Sequence, residues 1–339
     1  MAKRSLLDRL PVVHQVRQSV GVQRGMLVTG LVLTVLFVLV AIFAPLVAPY
    51  GFAQLRDAAG HAFGAQQPPS AEHLLGTTVG GFDVLSRVIW GARTALTTIV
   101  IAVILSLLLG VALGLVSGYL GGWVDRVLVV IADAVYAFPS LLLAIVTAII
   151  ISGGRSGLWQ GIWSAAIAIT VIYIPQYFRV VRAEAARIKS ESFVDAAKVI
   201  GTPTARIMTR HVLRNATRTL PLIATLNAAE AISTLAALGF LGFGIEQTSA
   251  AEWGYDLNRS ISDVTAGIWW TSIFPGVAIV LVILGITLVG ESLNDLADPR
   301  LRTRRRADVG EPLTADVAVG PGGAILDDRQ PATGEMGTR

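Results

Sequence analysis

Long stretches without a charged residue are the feature that most constrains this chain. No Asp, Glu, Lys or Arg lies between Arg93 and Asp125, and residues 26–48 form another uncharged apolar run. Spanning a bilayer as an α-helix takes roughly 20 apolar residues, so both runs are long enough. Hydrophobic residues make up 53% of the 339 residues and charged residues only 15%, too much apolar surface for one soluble core. The sequence therefore predicts an all-α membrane protein.

Hydropathy predicts six transmembrane helices. The first follows a basic N-terminal segment, residues 1–25, and is too long for the apolar part of a secretory signal peptide, the rival interpretation. Residues 179–218 contain nine basic and three acidic residues, an excess that marks a cytoplasmic loop. With six spans, both termini are then cytoplasmic. Residues 307–339, rich in Gly, Pro, Asp and Thr without periodicity, are predicted to be a disordered cytoplasmic tail. The predicted spans are residues 26–48, 94–119, 127–151, 158–178, 219–243 and 267–290.

Three polar residues fall inside predicted spans and are candidates for lining a translocation pathway. Asp133 lies about two turns into the third span, and Asn227 and Glu230 lie in the fifth. A carboxylate within a membrane is costly unless it faces protein or water, which makes such residues functional candidates. Asp133 is equally consistent with a headgroup-level position or an interhelical hydrogen bond. Glu230 is equally consistent with burial against a partner.

Glycines recur every four residues in the second span, at Gly110, Gly114 and Gly118. Small residues at this spacing line one helix face and let another helix backbone approach closely. The alternative is that glycine is simply common in membrane helices. We expect these glycines to form a helix-packing surface.

The segment from Glu191 to Arg218 is predicted to be two short helices joined by a corner. Phe193, Ala196, Ala197 and Ile200 have the spacing of one apolar stripe on an α-helix. Ser192 with Asp195 fits a capping box that starts this helix. The alternative is an ordinary loop lying on lipid headgroups rather than a docking element.

The corner itself is predicted at three consecutive residues. Gly201 supplies the left-handed conformation that commonly ends a helix, Thr202 a side-chain cap for the next helix, and Pro203 its first turn. Arginines then recur every four residues along one edge of the second helix. These are Arg206, Arg210, Arg214 and Arg218.

Several kinds of chemistry are excluded. The chain has no cysteine, and its four histidines are scattered, which argues against a metal site. None of the three lysines follows a glycine, so no phosphate-binding loop ending in Gly-Lys is present. No catalytic grouping occurs, and an intramembrane aspartyl protease using Asp133 with Glu230 would lack its local motifs. The net charge of +4 reflects loop orientation and does not indicate nucleic-acid binding.

The run DAAKVIG at residues 195–201 resembles the "EAA" loop of permease subunits of bacterial ABC importers. Four further stretches resemble the dipeptide and oligopeptide branch of that family. They are LGTTVGGFDVLSR at 75–87, the stretch 121–145, AALGFLGFG with AEWG within 236–254, and 269–302. Together they cover most of residues 26–306.

This resemblance implies a type I ABC importer permease fold over residues 26–306, with 179–218 as the coupling loop. It implies a homologous second permease subunit, two ATPase subunits or a fused ATPase that bind ATP and Mg, and an extracytoplasmic binding protein. The chain itself would bind no cofactor, no metal and no nucleic acid, and would contact only the lipid bilayer and these proteins. The residues implied in ATPase coupling are Glu191, Ser192, Phe193, Asp195, Ala196, Ala197, Gly201, Thr202, Pro203 and Arg206.

The chain departs from the family pattern at several positions. Relatives usually have Asp at Thr78, Gly-Arg-Asp at residues 81–83, proline at Arg214, and an acid near residues 234–235. Loss of the proline predicts that the second loop helix continues into the fifth span. Import of nickel, haem or opine-like solutes by the same architecture stays open, as do a stand-alone channel or secondary transporter and a membrane scaffold.

Overall fold

The computed structural model describes residues 22–153 and 157–297. All regular elements in this part of the chain are helical, apart from two isolated bridges, Arg56 with Ala62 and Thr77 with Asp83. The described residues up to Asn294 form one compact unit. The predicted N-terminal segment up to residue 21 and the predicted tail 307–339 lie outside the described residues. The helices are α1 (Val22–Val47), α2 (Val84–Leu120), α3 (Gly122–Ala137), α4 (Ser140–Ser152), α5 (Leu158–Lys189), α6 (Ser192–Val199), α7 (Thr204–Arg206), a π-helical segment (Ile207–Val212), α8 (Leu213–Ala216), α9 (Leu220–Phe240), α10 (Trp253–Arg259), α11 (Ile261–Thr265) and α12 (Trp270–Ala297).

Five described helices are each long and apolar enough to cross a membrane, namely α1, α2, α5, α9 and α12. A sixth crossing requires α3 and α4 together, and these are bent by 99° at their junction. The third span, predicted over residues 127–151 with an interruption at Pro139, corresponds to this bent pair of helices. Pro139 explains the break, because its ring fixes its own backbone and forces the preceding residue, Phe138, into an extended conformation (φ −80°, ψ 141°).

Three of the spanning helices are longer than hydropathy indicates. The helix α2 begins at Val84, α5 continues to Lys189, and α12 continues to Ala297. Hydropathy detects the apolar part of a helix, whereas its ends depend on caps and local propensity. At the start of α2 the Asp83 carboxylate accepts a hydrogen bond from the Ser86 N–H (2.8 Å), which fixes the first turn outside the apolar run.

The helices α2 and α5 form the central pair of the bundle. At Gly110, an added Cβ would lie 2.5 Å from the Cβ of Tyr177, and at Gly114 it would lie 2.7 Å from the carbonyl oxygen of Phe178. At Gly118 it would meet the carbonyl oxygen of Arg182. All three glycines are buried against α5, so their missing side chains set the distance between the two helix backbones.

Residues 48–83 and 241–269 form a cap over one end of the bundle. The Trp270 indole N–H donates to the Thr77 carbonyl oxygen (3.2 Å), and the Trp253 indole N–H donates to the Val88 carbonyl oxygen (3.0 Å). A salt bridge of 2.7 Å between Arg87 and Asp256 joins α2 to α10. The α5–α9 loop, residues 190–219, lies at the opposite end, because α5 begins and α9 ends beside the cap, where Ile162 packs against Ile245 and Ala250.

We predict that Gly114→Leu destabilises the protein by about 1–3 kcal/mol, because the new side chain would overlap backbone atoms that cannot move independently. The midpoint of thermal unfolding of the detergent-purified protein measures the effect. Gly25→Leu is the matched control, since an added Cβ at Gly25 meets nothing within 4 Å. Equal unfolding midpoints for the two variants would contradict the close-packing explanation.

Candidate functional site

The short helix α6 presents an uncovered apolar surface. Val194 and Ala197 are buried against the bundle, while Phe193, Val199 and Ile200 are 43%, 87% and 81% exposed. Of the four residues in the predicted stripe, only Ala197 faces inward and the other three are exposed. Val194 is the second residue that faces the bundle, because it lies next to Ala197 on the helix surface, three positions away. We call the exposed set of Phe193, Ala196, Val199 and Ile200 the α6 outer face.

The corner after α6 is stabilised by backbone hydrogen bonds. Gly201 has φ +75°, its N–H donates to the Lys198 carbonyl oxygen (2.9 Å), and the Thr202 N–H donates to the Ala197 carbonyl oxygen (3.0 Å). This is the pattern of a glycine-terminated helix. The left-handed glycine predicted at this position is confirmed.

The two predicted side-chain caps are absent. The helix α6 follows Glu191 without a side-chain cap, because the Asp195 carboxylate accepts a hydrogen bond from Lys198 instead (2.8 Å). That hydrogen bond raises the pKa of Lys198. Thr202 does not cap α7 either, since Pro203 is the residue that precedes its first turn. The Pro203 carbonyl oxygen accepts from the Arg206 N–H (2.9 Å).

The second half of the loop is not the straight helix that the arginine spacing predicts. Winding changes to π-helical between Ile207 and Val212, so residues four apart no longer share one edge. The chain also turns at residues 217–219 before α9 begins, although Arg214 replaces the usual proline. Pro221 supplies this break, because a proline ring clashes with the carbonyl group four residues earlier in a continuous helix.

Ion pairs connect α3 to the part of α5 that leads into the α5–α9 loop. Arg182 donates two hydrogen bonds to the Asp125 carboxylate, one of them 2.8 Å long, and the Ser117 hydroxyl donates a further one. Arg179 pairs with Asp133 at 2.7 Å, with both side chains about half exposed. Asp133 thus has an interhelical partner, one of the alternatives that the sequence left open.

A cavity of about 290 Å³ lies where the α3–α4 bend meets α5 and α9. Glu230 of α9 lies in its wall. Asn227, one turn earlier on α9, is buried elsewhere and is 1% exposed, and Asp133 is also outside the cavity. Of the three pathway candidates, Glu230 therefore lines this cavity and the other two do not. The lining residues are Val135, Tyr136, Phe138, Ser140, Leu143, Ile172, Tyr173, Gln176 and Glu230.

Glu230 is exposed on its helix, and none of the residues described between 22 and 297 gives its carboxylate a hydrogen bond or an ion pair. The position lies midway along α9, which spans Leu220–Phe240. A charge at that depth has to face water or an opposite charge. The part of the cavity wall around Glu230 therefore has to face water or a cation.

Sequence reasoning missed a buried charged network beneath the cap. Arg87 is 1% exposed and hydrogen-bonds to the Asp256 carboxylate, which also accepts from Gln247 (3.2 Å). Glu252 accepts from the Gly254 and Tyr255 N–H groups at 2.8 and 2.7 Å and begins α10. No local pattern predicts a pair separated by 169 residues.

Comparisons with known proteins assign the family. Residues 110–303 match the family described as "Binding-protein-dependent transport system inner membrane component". The chain belongs to this family. Residues 23–69 also match the N-terminal transmembrane domain of oligopeptide transport permease C. The chain is therefore a multi-pass permease of the bacterial plasma membrane, the membrane component of an ABC transporter rather than its catalytic subunit.

Three curated relatives illustrate the similarity. The dipeptide transport system permease protein DppC of Escherichia coli K12 is 41% identical over 276 residues, which is 81% of this chain and 89% of that protein. DppC of Alkalihalophilus pseudofirmus is 37% identical over 276 residues, 81% of this chain and 86% of that protein. The glutathione transport system permease protein GsiD of Shigella flexneri serotype 5b is 35% identical over 280 residues, which is 83% of this chain and 88% of that protein.

We predict that the stability of the permease falls as pH rises from about 4.5 to about 8. Burial raises the pKa of Glu252 from 4.5 to about 8, with Asp256 adding to the rise and the backbone N–H groups and Arg87 opposing it. A carboxyl group whose folded-state pKa is raised favours the folded state at low pH, and this advantage is lost as pH approaches the raised value. The expected loss is on the order of a few kcal/mol.

Thermal unfolding midpoints measured across this pH range test the prediction. In Glu252→Gln the dependence is expected to flatten, whereas the exposed residue Glu246 provides the control variant Glu246→Gln, which keeps the wild-type profile. A wild-type profile in Glu252→Gln would contradict the assignment.

Proposed function

We propose that this permease forms half of the translocation pathway of an ATP-driven importer of dipeptides or oligopeptides, and that α6 is the helix through which ATPase subunits drive it. The observation that carries the coupling role is the uncovered α6 outer face. Peptides are proposed as substrates because the similar permeases are named for dipeptide and glutathione transport. Nickel, haem or opine-like solutes remain the alternative within the same architecture.

The α6 outer face has the chemistry of a docking surface. Three large apolar side chains, Phe193, Val199 and Ile200, are exposed on one side of a helix whose other side is fixed by Val194 and Ala197. A folded protein gains stability by covering such a cluster with a partner. The flanking ion pair of Asp195 with Lys198 adds polar groups at its edge, as protein interfaces commonly have.

The connection to the bundle is suited to transmitting motion. The helix α5 extends without interruption from Leu158 to Lys189, directly before α6. Glu191 also contacts this helix, through an ion pair of 3.1 Å with Arg187. On the other side, the corner at Gly201 leads through Pro203 and α7 into the π-helical segment. A displacement of α6 would therefore move α5 and α9 together rather than bend a flexible loop.

The remaining components follow from this role. Two ATPase subunits, or a fused ATPase, would supply the ATP and Mg sites and dock on the α5–α9 loop, placing that loop and both termini in the cytoplasm. The cap would then face the extracytoplasmic binding protein. A homologous second permease would complete the pathway within the bilayer. The permease domain would extend over residues 26–306, with Glu191 to Arg206 as the coupling segment.

We predict that Ala196→Glu and Gly201→Val leave the complete importer in the membrane but reduce peptide uptake per ATP hydrolysed by about tenfold or more. Ala196 is exposed, so a charge there affects the α6 outer face and not the bundle. Gly201 has φ +75° with nothing within 4 Å of an added Cβ, so valine distorts only the corner. Uptake and ATP hydrolysis measured in the same proteoliposomes give the ratio.

Ala183→Glu is the matched control, because Ala183 is equally small and exposed but lies on α5. It is expected to keep the wild-type ratio. Wild-type coupling in both test variants would reject α6 as the coupling helix, and solute conduction by the permease alone in liposomes would reject the importer.

A further inference from the structure

We propose that the cavity at the α3–α4 bend is a transient substrate site in which the Glu230 carboxylate binds the free ammonium group of the transported peptide. This inference rests on the proposed function as a peptide importer. It assigns a ligand chemistry to Glu230 that neither the family match nor the names of the relatives specify.

Within the described part of the chain, no cation pairs with Glu230. The two arginines of α5 closest to the bend are already paired, Arg179 with Asp133 and Arg182 with Asp125. A carboxylate in the middle of α9 costs several kcal/mol when it faces lipid. No cation in the described residues balances this charge, so a cation that does so has to come from outside them, and the cavity is the route that its position offers.

The break between two helices forms part of the cavity wall. Phe138 and Ser140, on either side of Pro139, both line it, so the break between α3 and α4 lies at the cavity. Non-helical backbone at membrane depth is stable only where it is buried in protein or faces a water-filled space. Discontinuous helices of this kind commonly form the substrate sites of transporters.

The cavity lining combines polar and apolar side chains. Gln176 and Ser140 provide side-chain donors and acceptors, while Phe138, Leu143 and Ile172 provide apolar surface. The volume of about 290 Å³ is at the lower end of the range of small-ligand pockets. A short peptide has the matching groups, namely an ammonium, a polar amide and a side chain. With a single carboxylate the site binds the ammonium weakly enough to release it, which transport requires.

The complete importer reconstituted in liposomes, with both permeases, the ATPase subunits and the binding protein, provides the test. The probe is radiolabelled dialanine at a subsaturating concentration. We expect Glu230→Gln to lower its uptake rate about tenfold or more, since a charged hydrogen-bond partner is lost. Glu230→Asp keeps the charge and is expected to retain most of the uptake.

Ser233→Ala is the matched control, because Ser233 is exposed on α9 but does not line the cavity. It is expected to import at the wild-type rate. In all three variants the yield of assembled complex and the ATP hydrolysis stimulated by the binding protein are expected to stay at wild-type levels, which separates substrate binding from coupling and from folding.

Each other outcome overturns the proposal in a distinguishable way. Wild-type uptake by Glu230→Gln rejects the ammonium site and leaves the importer function intact. A lower yield of assembled complex in Glu230→Gln shows that the carboxylate pairs with a basic side chain of the second permease instead. Failure of the wild-type importer to take up any peptide rejects the proposed function together with this site.

Discussion

The contact between α2 and α5 determines where the functional parts of this permease lie. Because Gly110, Gly114 and Gly118 leave no side chain between the two backbones, the part of α5 from Ile174 to Ala186 is fixed against α2. The same helix carries Arg179 and Arg182, supplies Tyr173 and Gln176 to the cavity, and ends directly before α6. Coupling surface and cavity are thus two regions attached to one rigid helix.

The two ends of the bundle are stabilised by different forces. Under the cap, Arg87 and Asp256 are buried together, an arrangement in which removing one partner leaves an uncompensated charge. At the opposite end the ion pairs of Arg179 and Arg187 are largely exposed and contribute little to stability. The pair of Arg182 with Asp125, also at that end, is partly buried, so the ion pairs there differ in strength.

Much of the fold could be predicted from the sequence because hydropathy and helix-ending residues act locally. The apolar runs gave the spanning helices, and Gly201 gave the corner. The interruption of the third span at Pro139 could be predicted because proline cannot continue a helix, but the size of the bend could not. Apolar spacing alone predicted a stripe on α6, but which side of so short a helix faces the bundle depends on what packs beneath it, here Val194 and Ala197. The cavity and the network of Arg87 with Asp256 join distant segments, so no local pattern contains them.

The corner at Gly201 depends on backbone handedness rather than on side-chain size. Its φ of +75° is the conformation that residues of D configuration prefer, and an added Cβ would meet nothing within 4 Å. The mirror-image amino acid D-alanine would therefore fit at this position, whereas L-alanine would strain the chain with the same number of atoms. The connection between α6 and the rest of the loop therefore depends on the backbone conformation of one residue, Gly201.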